Sequence, residues 1–168
     1  MWSNNKPKSK YVIVLVGSNN YLPGVNGIIN ALDYYRNKID LHFIHDILPK
    51  DYEKELKNSD LNYHLVLQPF SWLKEEMLKE WPNFPLLDSF HEHIFIRYWY
   101  LMRIEDEYRV TSVFDADSII VNNITPWFEF VEGTRYLLTA QHLFQWLEIE
   151  DYQKKDLLFQ LPVFNHPL

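Results

Sequence analysis

The sequence predicts an α/β protein with a largely parallel (mixed) central sheet flanked by helices. Three observations carry this. Strand-like and helix-like segments alternate through the first 67 residues. The strands read as continuous apolar runs, which marks strands covered on both faces. Glycine is scarce, 4 in 168 residues, which leaves little room for flexible linkers between separate modules.

The first strand is YVIVLVG (Tyr11–Gly17), a β-branched run closed by glycine. SNNYLPG reads as a loop, punctuated by Asn, Pro and Gly. In VNGIINALDYYRN, the residues Val25, Ile28, Ile29, Leu32 and Tyr35 recur at helical spacing. DLHFIH (Asp40–His45) predicts the second strand, and LPKDYEKELKN a short helix with proline near its start. NYHLVL (62–67) predicts the third strand. Residues 68–88, rich in Pro and Trp, read as irregular. SFHEHIFIRYWYLMRIED predicts a longer helix, with Ser89 as its cap and Glu92 three positions on. RVTSVFDAD predicts a fourth strand ending in two acids, and ITPWFEF a short helix. RYLLTA (135–140) reads as another strand, and DYQKKDLLFQ as polar and then apolar. Residues 1–10 form a polar tail, and 11–168 read as one domain without repeats.

Composition narrows the function. At 47% hydrophobic and 23% charged the chain is globular, with enough apolar residues for a core. Most of its many aromatic rings belong in that core, and a few could stack on a sugar or base. A net charge of −7 argues against nucleic-acid or membrane-surface binding, which needs a basic footprint. The absence of cysteine excludes a disulfide framework and thiol chemistry. The start, MWSNNKPKSK, lacks the apolar core of a signal peptide, and the run at 11–16 is too short to span a bilayer. These features predict a soluble, cytoplasmic chain without a transmembrane segment.

In open α/β sheets, ligands bind beyond the carboxyl ends of the strands. Two loops fall at such ends: GSNNYLPG after the first strand and DAD after the fourth. Residues two apart on a strand share a face, so Asp115 and Asp117 could converge, with small Ala116 leaving room for a ligand. Paired carboxylates are hard oxygen donors suited to magnesium or manganese, which keep positions open for substrate phosphates. Such an ion would reconcile an acidic protein with an anionic ligand. The plain alternative is a solvated charged turn. The histidines read as structural. His42 and His45 are three apart on a strand, His91 and His93 two apart on a helix, so neither pair shares a face or matches a zinc spacing.

The ordered set of these segments resembles the family-8-type glycosyltransferases of the GT-A fold, which use UDP-sugars. The stretches that carry the resemblance are VIVLVGSNNYLPGVNGIINAL, LHFIHDILPKDYEK and VTSVFDADSIIVNNITPWFEF, with Arg97 about eighteen positions before the acid pair. It covers roughly residues 11–140. The resemblance implies transfer of a sugar from a nucleotide diphosphate donor to an acceptor, a glycan or other molecule. It implies that Asp115 and Asp117 bind manganese or magnesium and that Asp115 also touches the ribose. Asn20 and Tyr21, with Val16 and Ser18 beside them, would line the uracil pocket, and Ala116 would lie within the donor site. Arg97 would face the diphosphate or donor sugar. The sequence also departs from the pattern. Relatives often carry an acid at the position of Ser18. VFNHPL begins like the family's Phe-Asn-small-Gly strand, which places Asn165 at the donor, but His166 and Pro167 replace the small residues. The later metal-binding histidine and most of the acceptor half have no counterpart, so the resemblance implies a truncated domain. Two other classes fit parts of the pattern. One is a non-catalytic nucleotide-sugar-binding domain. The other is a haloacid-dehalogenase-type phosphatase, in which the first Asp is the nucleophile and the second the acid/base.

Overall fold

The computed structural model describes residues 9–82, 89–134, 136–140 and 163–167. Its contacts divide the chain into two units, Met1–Pro126 and Trp127–Leu168. The first holds four strands and four helices in the order β1 (Tyr11–Gly17), α1 (Leu22–Tyr34), β2 (Asp40–His45), α2 (Lys50–Asn58), β3 (Leu65–Pro69), α3 (Phe70–Glu80), α4 (Ser89–Ile104) and β4 (Val110–Asp115). A fifth helix, α5 (Thr125–Thr134), begins at its end. In the second unit β5 (Tyr136–Ala140) and β6 (Val163–Pro167) pair antiparallel, with Leu138 opposite Asn165.

The four strands of the first unit form one parallel sheet in the order β3-β2-β1-β4. The apolar runs explain why. Residues 12–15 of β1 are fully buried, as a central strand covered on both faces requires. Val12 and Val14 of β1 and Ile44 of β2 face one way, into a cluster with Leu73 and Met77 of α3 and Ile96, Trp99 and Tyr100 of α4. On the other face α1 buries Val25, Ile28, Ile29 and Leu32, and Val25 reaches Gly17 at the end of β1. Each such side chain contributes about 1.5–3 kcal/mol of burial. The chain therefore runs outward from β1 to β3 and then returns across the opposite face to lay β4 on the other side of β1.

Four sequence expectations are corrected. The segment read as a loop before the first helix is already helical from Leu22, with Pro23 in the first turn, where a missing N–H costs nothing. The third strand starts at Leu65, not 62, because Asn62 is held off the sheet by Asp33, through Oδ1 at 2.9 Å and the carbonyl at 2.8 Å. The stretch read as irregular contains α3: Pro69 caps it, and Leu73 and Met77, one turn apart, anchor it to the core. The fourth strand stops at Asp115, and Asp117 lies in the turn beyond it, closed by Ser118 N–H on the Asp115 carbonyl at 2.9 Å. The reading of 151–160 lies outside the described residues. No helix among them is long and apolar enough to cross a membrane.

Helix α1 ends in a Schellman motif. Asn37 N–H bonds the Leu32 carbonyl and Arg36 N–H that of Asp33, both at 2.9 Å, with Arg36 left-handed at φ 51°. This turn buries the Asn37 side chain, whose Oδ1 accepts from Ile124 N–H at 2.7 Å. The Thr125 Oγ1 accepts from Lys38 N–H at 3.0 Å. Residues 118–124 are thereby fixed at both ends, to the end of β4 and to the turn that precedes β2.

Candidate functional site at the carboxyl edge of the sheet

Strand order reverses between β1 and β4, and the crevice beyond their carboxyl ends is where sheets of this kind take ligands. The carboxyl ends of the two strands are neighbours, with Val16, next to last in β1, beside Asp115, the last residue of β4. The two loops singled out in the sequence therefore meet.

They meet at backbone distance. A β-carbon on Gly24, in the first turn of α1, would overlap the Ala116 carbonyl oxygen and lie 3.2 Å from its carbon. One on Gly17 would fall 3.4 Å from the Ala116 Cβ. Ala116 is itself only 5% exposed. Its small side chain thus accommodates Gly17 and the start of α1, and the room expected there for a ligand is filled by protein.

The flanking acids point outward. The Asp115 side chain is 71% exposed and Asp117 is also exposed. Asp115 shares the α4 face of the sheet with Val16, and Arg97 meets it there: Nη1 donates to Asp115 Oδ1 at 2.7 Å. Arg97 is no solvated helix residue, because its side chain is 14% exposed and its Nε is buried without a partner among the described residues. Its guanidinium lies 5.4 Å from the Tyr98 ring centroid.

After β1, the Ser18 carbonyl accepts from Tyr21 N–H at 2.9 Å and winds Asn19–Tyr21 into a 3₁₀ turn. This turn presents Asn20 and leaves Tyr21 54% exposed, so the ring is not a core residue. Asn165 lies in β6, in the second unit.

Among the described residues no group of three or more His, Asp or Glu could hold a metal. Two exposed carboxylates nevertheless suit magnesium-type ions, which take one or two from a protein and the rest from water and phosphates. The Arg97 contact engages only Oδ1 of Asp115. The chemistry of the two carboxylates is therefore of the kind such an ion takes.

Two histidines read as structural also lie at this edge. His93, one turn before Arg97 on α4, stacks on Phe70 at 4.2 Å, with Nε2 3.6 Å from Asp46 Oδ1. The i, i+4 spacing of His93 and Arg97 was its available signal. His45 ends β2 beside Gly17. Its Nδ1 lies 2.5 Å from the Asp46 carbonyl, while its Nε2 is buried without a partner among the described residues. No sequence pattern marks such an atom. His42, on the opposite face of β2, is fully engaged: Nδ1 meets Tyr100 Oη at 2.8 Å and Nε2 meets Tyr108 Oη at 3.0 Å. Burial lowers its pKa to about 3.

No family model and no curated protein matches the chain. Among solved structures it is similar to the apo form of the glycosyltransferase GlyE from Streptococcus pneumoniae TIGR4, at 13% identity and TM-score 0.48, covering 81% of this chain and 30% of that one. It is also similar to mouse xyloside xylosyltransferase 1 in its apo form, at 15% identity and TM-score 0.46, covering 73% of this chain and 48% of that one. The chain thus spans less than half the length of each.

Proposed function

We propose that this chain binds a nucleotide diphosphate sugar, of the UDP type, at the carboxyl edge of its sheet. It takes part in a metal-dependent glycosyl transfer of the GT-A, family-8 kind to a glycan or other acceptor. The observation that carries the reading is the contiguity of Asp115, Arg97 and the start of α1 at the point where strand order reverses.

The chemical difficulty in such a transfer is the departing diphosphate, which gains negative charge as the glycosidic bond breaks. Arg97 is suited to that need: Asp115 fixes its Nη1, and its buried Nε has no partner among the described residues. A magnesium or manganese ion held by Asp115 and Asp117 would supply Lewis-acid stabilisation of the same charge. The exposed Tyr21 ring offers a stacking face for the base, and Asn20 an amide beside it. These contacts would fix the donor so that its anomeric carbon faces the acceptor.

Calorimetric titration with UDP, with and without manganese, tests the reading. Binding should require the metal and fall at least tenfold in Asp117→Ala. Absence of UDP binding by the native chain in manganese would sink the proposal. Hydrolysis of UDP-sugars then separates a transferase from a domain that only binds.

A further inference from the structure

Four side-chain polar atoms among the described residues are buried without a partner, and two, Arg97 Nε and His45 Nε2, lie at the carboxyl edge. The first is a cationic donor. The second is an acceptor, as its neighbour on the ring shows. A carbonyl can only accept, so the 2.5 Å contact with Asp46 requires the proton on His45 Nδ1. Burial holds the ring below its ordinary pKa, with Glu53 and Lys57 of α2 and Asp46 as the charges around it. Nε2 therefore carries a bare lone pair. His45 is 6% exposed, and a buried lone pair left unmet is destabilising. It sits on the strand adjoining β1, level with Gly17, two residues before the turn that bears Asn20 and Tyr21.

Resting on the donor-nucleotide reading above, we propose that His45 selects the base: its Nε2 accepts a hydrogen bond from the ring N–H of a uracil-type nucleobase. Uracil presents N3–H as a donor. Cytosine, nearly identical in shape, presents N3 as a lone pair, which would face the lone pair of His45. A site built around a hydrogen bond rejects the analogue that lacks the matching group, because its own buried polar atom is left unpaired.

The test compares UDP with CDP in manganese on the full chain. The native protein should prefer UDP by roughly tenfold or more. His45→Phe, which keeps a ring but removes the acceptor, should bring the two within about twofold. His45→Gln, whose amide oxygen can occupy the Nε2 position, should restore part of the preference. In ¹⁵N-histidine-labelled native protein, the His45 Nε2 resonance should start in the unprotonated range and move on addition of UDP, which tests the assignment even if His45→Phe does not fold. Equal binding of UDP and CDP by the native protein, as a ribose hydroxyl donor would give, overturns the proposal. So does UDP binding that leaves the His45 resonance unmoved, or an unchanged preference in a folded His45→Phe. The donor-site reading survives all three results; it falls with this one only if neither nucleotide binds.

Discussion

Arg97 holds one oxygen of Asp115, a carboxylate proposed above to bind the metal. Its Nη1 already occupies Oδ1 of Asp115, so it supports the carboxylate and repels a divalent ion approaching it. Two opposite effects follow from removing it. Arg97→Met should bind manganese alone several-fold more tightly, and UDP in the presence of manganese several-fold more weakly. Paired calorimetric titrations measure both; a parallel loss of the two affinities would mean that Arg97 only holds the site together. At this scale the sequence was partly legible. Asp115 and Asp117 could be marked because acids at a strand end are visible as spacing, whereas Arg97 could be marked only through the family resemblance. The orphan Nε2 of His45 could not, because it arises from what fails to surround a ring. The reading of Ala116 erred for a related reason: a small residue leaves space, and only the packing tells whether a ligand or a helix fills it.

Among the elements, α1 carries the tightest constraint. Gly24 has ordinary helical geometry, and its need for glycine is purely one of clearance from Ala116. Gly27, one turn on, meets nothing within 4 Å. The same substitution should therefore have opposite signs. Gly27→Ala should raise stability by about 0.5–1 kcal/mol through helix propensity. Gly24→Ala should lower both stability and affinity for UDP with manganese, because a backbone carbonyl must move. Urea denaturation of the two variants decides this; equal effects would mean that the helix start and the acid turn are not in contact. Most elements were legible from apolar periodicity. Helix α3 was not, because flanking Pro and Trp outweighed the two buried residues, Leu73 and Met77, that make its core face. The boundary of α1 was misjudged because Pro and Gly signal turns, although Pro also suits the first helical turn.

For the molecule as a whole, stability should fall as the medium turns acidic. A buried chain of hydrogen bonds runs from Gln68 to Tyr100, His42, Tyr108 and Asp40, spanning β3, β2, α4 and the segment before β4. Burial also raises the pKa of both tyrosines, which keeps them as donors. With His42 lowered to about 3 in the fold and near 6.5 when unfolded, only the unfolded chain takes up a proton in between. This contribution is constant above about pH 6.5 and then declines by roughly 1.4 kcal/mol per unit down to about pH 3. Urea midpoints at pH 7.5 and 5.5 should differ in that direction, and His42→Gln should flatten the difference if it folds. The parallel character of the sheet was implied by the alternation of strands and helices. The placement of β4 beside β1 was not, because nothing in the local pattern tells on which edge a returning strand will settle.

The strap at 118–124 has a consequence for the price of ligand capture. It runs from the carboxyl end of β4 to the Asn37 turn before β2, a height of roughly 20 Å at about 3.3 Å per strand residue. The strap bends at Asn122 and is held by hydrogen bonds at both ends. A tether pinned at both ends leaves the acid turn fewer alternative shapes in the free protein. Its ordering is then completed during folding, and a ligand arriving at the crevice has less disorder to remove.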